Sequence, residues 1–471
     1  MTPSSRNRTQ IINPYDGEIV DEIAFTSESE ISNLEKFISN STQFYRKTSS
    51  FDRSEILKAC ADKLKKEKSR FSSLIKSEAG KPITLADLEV DRAISVLEWM
   101  SAETLRTSSK TIKIDSTAKA DAGLGISERF PIGPIFGITP FNFPLNLLVH
   151  KVAPAISIGS PIIIKPSPKA PLTAFLFDSI LNKINENLLK VILPTDDKVS
   201  FFSENLNFGV VSFTGSDSVG QIVKRQNWNR KTILELGGNA WVGIDQSAGD
   251  ILQEITSKVV SGGFSYSGQS CISVQNIAVH ETIYEPFKKT LKKTLNEFVT
   301  GDPSNSNTLN GPLIDAESKH RILTMIEKSR CKIINSSDES PYQNHPTILS
   351  PILLEDIGLN NPEMFDSVVD EEIFGPVITL RPYSKTDALI NSINRARYGL
   401  QAGFFTLNFN QAYRFFREIE SGGIIINDVP TSRYDHQPYG GVKASGCGRE
   451  GAEFGIEDYT YRKFLALKTS V

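Results

Sequence analysis

The stretch Gly262-Gly263-Phe264-Ser265-Tyr266-Ser267-Gly268-Gln269-Ser270-Cys271 ends in a thiol, just after a helix-like apolar run (Ile251, Ile255, Val259, Val260) breaks on small residues. A thiolate is a strong nucleophile, and a cysteine in a loop bordering a cleft is available for covalent chemistry. The competing reading is a small buried hydrophobe, the commoner fate of a free cysteine. Two other residue types nearby in motif space favour chemistry. Asn142 sits in Thr139-Pro140-Phe141-Asn142-Phe143-Pro144, where aromatics and prolines would hold its amide still. Such an amide, with the backbone N–H of Cys271, suits an alkoxide formed by attack of sulfur on a carbonyl; the alternative is a turn residue bonding its own backbone. Glu235 ends an apolar strand in Leu234-Glu235-Leu236-Gly237-Gly238. A carboxylate partly desolvated there would take a proton from water; the alternative is a surface charge at a strand end.

Downstream lie Glu371-Glu372-Ile373-Phe374-Gly375-Pro376 and Pro438-Tyr439-Gly440-Gly441-Val442-Lys443. This ordered set, within a span from Ile12-Asn13-Pro14 to Lys443-Ala444-Ser445-Gly446, resembles the aldehyde dehydrogenase superfamily. In pattern it looks closest to the lactaldehyde and glyceraldehyde dehydrogenase-like branches. The resemblance implies Cys271 as nucleophile, Asn142 as oxyanion donor and Glu235 as general base. The reaction it implies is NAD(P)-dependent oxidation of an aldehyde to an acid through a cysteine thiohemiacetal and thioester. For the dinucleotide it implies contacts at Thr139, Pro140, Phe141, Lys165, Ser167, Gly215, Ser216, Val219, Leu236, Glu372 and Phe374. Lys165 follows a strand at the edge where nucleotides bind in open α/β sheets. Phe213-Thr214-Gly215-Ser216 lies at a strand-to-helix junction whose free N–H groups suit a pyrophosphate.

Two departures bear on the cofactor. Many NAD-preferring members carry a glutamate three residues after the lysine; here that place is Pro168, followed by Lys169, so the barrier to a 2′-phosphate is absent and both NAD and NADP stay open. The Pro-Gly usual before the Phe-Thr-Gly-Ser strand is replaced by Leu193-Pro194-Thr195-Asp196-Asp197, in a segment that looks shortened. For the substrate, the pocket stretches offer His150, Ser270, Ile272, Arg433 and His436, a polar and partly cationic mouth. That suggests a small hydroxylated or anionic aldehyde; the alternative is that Arg433 and His436 only brace their loop. Ser270 replaces the arginine found beside the thiol in non-phosphorylating glyceraldehyde-3-phosphate enzymes, which disfavours a phosphorylated substrate. Two other functions stay open: a dehydrogenase that passes its thioester to coenzyme A, and a lapsed paralogue with a structural or binding role.

The elements that must position these residues read as α/β. Helical spacing over Ile56–Leu64, Phe71–Ala79 and Ala86–Leu97 precedes short apolar strands at Ile135–Ile138, Pro161–Ile164, Val210–Phe213 and Thr232–Leu234, with helices between them. Continuous apolar strands alternating with helices imply a parallel sheet buried on both faces. After Gly238 a second series begins, with strands at Ile277–Val279, Val377–Leu380, Gly403–Phe405 and Gly423–Asn427 and helices near Ile283–Phe298, Ala316–Lys328 and Asn410–Glu420. The expected architecture is a Rossmann-like dinucleotide-binding domain (1–110 and 132–238), a second α/β catalytic domain (239–443) and a β-hairpin oligomerisation arm (111–131 and 456–471). By resemblance, the arm pairs with another subunit in a homodimer or homotetramer. The chain has 471 residues, 39% hydrophobic and 23% charged, as a soluble globular protein does. A net charge of −3 gives no reason to expect nucleic acid or an anionic membrane as partner. Four scattered cysteines without a Cys-x-x-Cys argue against a metal site and for a reducing, cytoplasmic setting.

Overall fold

The computed structural model describes residues 8–116, 123–195, 206–335, 341–356 and 366–468. Two parallel-rich sheets dominate it. The first runs, edge to edge, Gly446–Cys447, Lys231–Glu235, Val210–Thr214, Ile135–Ile138, Ile162–Lys165 and Lys190–Val191. Only the Gly446–Cys447 strand is antiparallel to its neighbour. Strands such as Ile135–Ile138 and Ile162–Lys165 are buried at every position, which explains their unbroken apolar runs. From the central strand Ile135–Ile138 the chain moves one way to Ile162–Lys165 and later the other way to Val210–Thr214. That reversal of strand order opens a crevice beyond the carboxyl ends, where Thr139, Lys165 and Gly215 lie.

The second sheet has the order Lys332–Ile333, Ile352–Glu355, Val377–Tyr383, Asn276–His280, Trp241–Ile244, Gln401–Phe405 and Gly423–Ile426. Its strands are parallel except Lys332–Ile333. The chain leaves the carboxyl end of Lys231–Glu235, crosses Leu236-Gly237-Gly238-Asn239-Ala240 and enters the amino end of Trp241–Ile244. The crossing sets carboxyl ends of the first sheet beside amino ends of the second. Cys271, Glu372 and Leu400 all lie just before strands of the second sheet, so the seam between the sheets gathers them.

Helices Ser50–Lys66, Lys68–Ala79, Ile83–Arg106 and Asn146–Ile158 pack with the first sheet in one apolar cluster containing Leu57, Phe71, Val90 and Val149. A buried ion pair ties this layer to the seam: Lys81 Nζ bonds Glu89, whose other oxygen accepts from the backbone N–H of Leu145 (2.9 Å) and Asn146 (3.1 Å). Glu89 thereby supplies the acceptor that the helix Asn146–Ile158 lacks at its own start. Lys81 also lies 3.6 Å over the ring of Phe143 and 4.5 Å over that of Tyr266. Lys81→Met leaves the Glu89 charge buried without its cation, and is expected to lower stability by about 3 kcal/mol. The check is a urea midpoint that falls with an unchanged slope.

The arm is a three-stranded antiparallel sheet, Thr460–Lys468 against Gly123–Pro131 against Lys110–Lys113. The expected extended segment from Ile456 is corrected at its start: residues Ala452–Tyr459 are a helix whose buried residues Ala452, Ile456 and Tyr459 join the first core, and the strand begins at Thr460. Positions 117–122, 196–205, 336–340 and 469–471, which take in parts of the arm, Asp196-Asp197 and the polar loop after Asn335, lie outside the described residues. Among the described residues no helix is long and apolar enough to cross a membrane, and no group of three or more His, Cys, Asp or Glu could hold a metal ion.

Candidate active site

Helix Leu252–Phe264 ends at Ser265, and the chain then makes three successive left-handed residues, Tyr266 (φ 52°), Ser267 (φ 57°) and Gly268 (φ 65°). Two of the three carry side chains in a region they rarely adopt, so surrounding bonds must hold the turn. Those bonds are present. Tyr266 Oη donates to Ala79 O (2.9 Å), Ser267 Oγ to Gly311 O (2.6 Å), and Gln269 Nε2 to Tyr266 O and Pro312 O. Gly268 is needed for close approach as well as for its φ, because a Cβ there would lie 2.2 Å from Gly375 O. The coil delivers Cys271 to the seam, where Gly238 packs so tightly that a Cβ would sit 2.3 Å from the Cys271 carbonyl oxygen.

The sulfur of Cys271 lies 3.2 Å from Tyr439 Oη and packs with Ile272, Leu400 and Tyr439. Burial pushes its thiol up to about 12; the Tyr439 hydrogen bond and Arg433 pull it down, while Glu372 and Glu235 push it further up. Asn142 reaches the same loop: its Nδ2 donates to Gln269 O at 2.9 Å, two residues before the thiol. One amide hydrogen is spent on that bond, leaving the second over, and its Oδ1 is buried without a partner among the described residues.

Glu235 is buried, and neither carboxylate oxygen has a partner among the described residues. Gly440 lies against it; a Cβ there would be 2.8 Å from Oε1. Burial, then the neighbouring Glu450, holds the Glu235 carboxyl well above the ordinary range, against the pull of Lys151 and Arg433. Glu450 goes the other way: although burial opposes it, Lys151, His150 and Arg433 hold its carboxyl below the usual value. Two carboxyls pushed apart by their surroundings are suited to different proton-transfer roles.

Around this pair the structure assembles a buried network that sequence reading did not find. Arg433 donates to Glu450 Oε2 (3.2 Å), lies 3.2 Å from His150 Nε2, and stacks 3.6 Å over the Tyr439 ring. His150 Nε2 is also 3.2 Å from Asp435 Oδ1, which accepts from Arg92 at 2.7 Å. Lys151 Nζ joins Ser212 Oγ (2.9 Å) and Glu450 (3.5 Å). Burial and Arg433 lower the His150 proton affinity, against the pull of Asp435 and Glu450. While Glu235 keeps its proton, the positive charges on Arg92, Lys151 and Arg433 outnumber the carboxylates of Asp435 and Glu450; once Glu235 ionises the two signs balance. His150 and Arg433, read from the sequence as lining a substrate mouth, meet each other deep in this network. His436 stands apart, exposed and stacked on Trp99 at 4.7 Å. Ser270 and Ile272 flank the thiol, with Ile272 against Tyr439. Tyr439 and Glu450 could have been sought in sequence only as polar members of otherwise glycine-rich stretches; their pairing with residues 168 and 299 positions away has no local signal.

The dinucleotide side fits its ligand on four observations. The helix Asp217–Gln226 opens on Ser216, whose side chain makes no cap, so its first N–H groups face outward beside Gly215 and Val219. Gly220 is pressed on Leu236, where a Cβ would meet Cδ2 at 2.4 Å, which keeps that helix close to the seam. The hydroxyls of Thr139 and Thr214 are buried without partners among the described residues, and Thr139 N donates to Lys165 O at the end of the neighbouring strand. Across the seam Glu372 Oε1 accepts from Gly238 N at 3.0 Å, and Phe374 (φ 50°) meets Phe141 edge to face at 6.0 Å. Ser167 follows Lys165 on the first sheet; beyond it the exposed Lys169 pairs with Asp315 of the second unit. Pro140 is half-buried next to Phe141.

The family model described as "Aldehyde dehydrogenase family" matches residues 1–465. A lactaldehyde dehydrogenase of Methanococcus maripaludis is 33% identical, with 98% of this chain and 97% of that protein covered. A 3-sulfolactaldehyde dehydrogenase of Priestia aryabhattai is 30% identical over 98% and 96%. Among solved structures, the glyceraldehyde-3-phosphate dehydrogenase of Methanocaldococcus jannaschii complexed with NADP superposes with a TM-score of 0.90 at 28% identity, covering 99% of this chain and all of that one.

Proposed function

Because the chain belongs to the aldehyde dehydrogenase family, whose members are NAD(P)-dependent, we propose that it oxidises a small polar or anionic aldehyde to its carboxylic acid through a thioester on Cys271. The observation that supports this is the meeting of one thiol, one carboxamide and one unpartnered buried carboxyl at the seam between two sheets. Cys271 gives up its thiol proton to solvent, and the sulfur then adds as thiolate to the aldehyde carbon. The second Asn142 amide hydrogen and the Cys271 backbone N–H hold the resulting alkoxide. A bound nicotinamide dinucleotide supplies the hydride acceptor. Glu235 then takes a proton from the water that opens the thioester, and Glu450 with Lys151 keeps a charged neighbour at hand to pass that proton on.

The first-sheet unit with its crevice would hold the dinucleotide, through the residues from Thr139 to Leu236 together with Glu372 and Phe374. The second-sheet unit would present the thiol. Pro168 and Lys169 in place of an acid favour acceptance of NADP alongside NAD. The substrate class rests on the cations Arg92, Lys151 and Arg433 gathered behind the thiol, which outnumber their carboxylates while Glu235 is protonated. Lactaldehyde-like and sulfonated or carboxylated aldehydes fit that charge, and the lactaldehyde and sulfolactaldehyde relatives point the same way. The arm carries an open edge at Thr460–Lys468, with Phe464, Leu465 and Leu467 exposed. An unprotected apolar edge is a template for strand pairing, so assembly as a dimer or a dimer of dimers is part of the proposal.

The test is a steady-state panel with NAD and NADP against lactaldehyde, sulfolactaldehyde, succinic semialdehyde and hexanal, following reduced nicotinamide by absorbance. The charged or hydroxylated aldehydes should exceed hexanal in kcat/KM by about tenfold or more, as expected when a polar site meets an apolar ligand. Hexanal as the best substrate would overturn the substrate class. Product analysis with and without coenzyme A should show free acid in both cases.

A further inference from the structure

Tyr439 is held with unusual firmness for a loop residue. Its N–H donates to Glu450 O (3.0 Å) and its carbonyl accepts from Glu450 N (2.7 Å), an isolated antiparallel bridge. Its side chain is 3% exposed and packs on Ile272 and Leu400. One face of its ring carries the Arg433 guanidinium at 3.6 Å, and its hydroxyl ends 3.2 Å from the Cys271 sulfur. Arg433 is itself locked by Glu450 and His150 while its Nε has no partner among the described residues. Cation, ring, hydroxyl and sulfur are therefore successive contacts, the cation on the ring face and the sulfur at the hydroxyl.

On the reading that Cys271 is the nucleophile, we infer that Tyr439 is a further catalytic residue, donating its O–H to the Cys271 thiolate, and that Arg433 is a positioning residue acting on the thiolate through the Tyr439 ring. A half-buried thiolate needs a donor to replace the water it has lost, and charge-assisted bonds to an anion are the strong ones. Tyr439 is suited to donate and keep its proton, since burial and the neighbouring thiol and Glu235 hold the phenol well above its ordinary value. The charged groups facing the sulfur are Glu372 and Glu235, which oppose ionisation, and Arg433, which favours it. Glu450 faces Arg433 and tempers that cation. The donor and the stacked cation are thus what offset desolvation at the nucleophile.

The experiment is the pH dependence of iodoacetamide alkylation at Cys271, located by mass spectrometry, in the apo-protein and with NADP. In Tyr439→Phe the ring and its Arg433 stack remain while the donor is lost. The midpoint for thiol ionisation should rise by roughly 1 to 2 pH units. The lower limb of kcat/KM against pH should move with it, and the rate at pH 7 should fall about 10- to 100-fold. Dinucleotide affinity should be unchanged, which shows the variant folded. A 3-fluorotyrosine at position 439, a more acidic donor of nearly the same shape, should move the midpoint down instead. Unmoved midpoints in both variants overturn the inference. Wild-type protein that stays fully active after alkylation of Cys271 would instead overturn the nucleophile reading, so the two failures are separable.

Discussion

Cys271→Ala is expected to lower kcat/KM for every aldehyde by a factor on the order of 10⁴ or more, because no second thiol stands at the seam among the described residues and the covalent path is lost. The other cysteines cannot substitute. Cys60 is fully buried in the first core with its thiol pushed up to about 12, and Cys331 is pushed equally high beside Asp356 and Asp366. Cys447 lies on the strand next to Leu234, with its sulfur directed to Thr232 O. Folding should be spared, since the Cys271 side chain touches only the small cluster of Ile272, Leu400 and Tyr439. Truncating a half-buried sulfur there costs about 1 kcal/mol or less. NADP titrated into the variant should therefore bind as it does to the native protein. A variant that keeps more than a hundredth of native turnover would remove the thioester from the scheme. Serine at 271 should be nearly as poor, since the group that position 271 bonds among the described residues is the Tyr439 hydroxyl, not a base.

The positions of these groups were legible in the sequence to different depths. Helix Ala316–Lys328 agrees with its expected bounds at both ends because one apolar face alternates with solvent and Asp315 caps it through the Ser318 N–H. Helix Asn146–Ile158, expected only as an unbounded helix between two strands, carries His150 and Lys151. It is buried on nearly every side, so it has no polar face to set a period, and Pro154 sits inside it. Strands Trp241–Ile244 and Ile352–Glu355 escape the sequence for a related reason: runs of four and three buried residues carry no alternation and look like any short apolar loop. At the site, motif positions carried Cys271, Asn142, Glu235 and Glu372, since their neighbours in sequence also build their local turns. What stayed hidden was pairing across the chain. Arg433 with His150, Arg92 with Asp435 and Lys151 with Glu450 join segments hundreds of residues apart. Only the folded seam reveals that a supposed substrate-facing cation is braced from behind. His436 shows the converse, since a residue three positions on from Arg433 faces outward onto Trp99.

Glu235→Gln should separate the two halves of the reaction. The amide fits the same buried space, and Gly440, which approaches Oε1 closely, need not move. Attack by Cys271 and transfer of hydride do not call on Glu235, so a stopped-flow trace should keep a burst of reduced nicotinamide close to one equivalent per site. Opening of the thioester does call on it, and steady-state turnover should drop by about 10²- to 10⁴-fold, the usual contribution of a positioned base. The pH dependence supplies the sign. Glu235 is held above its ordinary range by burial and by Glu450, so the proton stays on at lower pH and the carboxyl is an idle acid. As pH rises through that elevated value the base form appears, and thioester opening in the native enzyme should accelerate until the limb flattens. In Glu235→Gln that limb should vanish, leaving only the slow, hydroxide-driven rise. Glu450→Gln is the informative companion. Removing the neighbouring negative charge should let Glu235 ionise more easily, shifting the native limb toward lower pH, provided Lys151 and Arg433 keep their places. A burst lost together with turnover in Glu235→Gln would mean that the carboxyl acts earlier, on the thiol itself. It would then have to be the acceptor of the Cys271 proton.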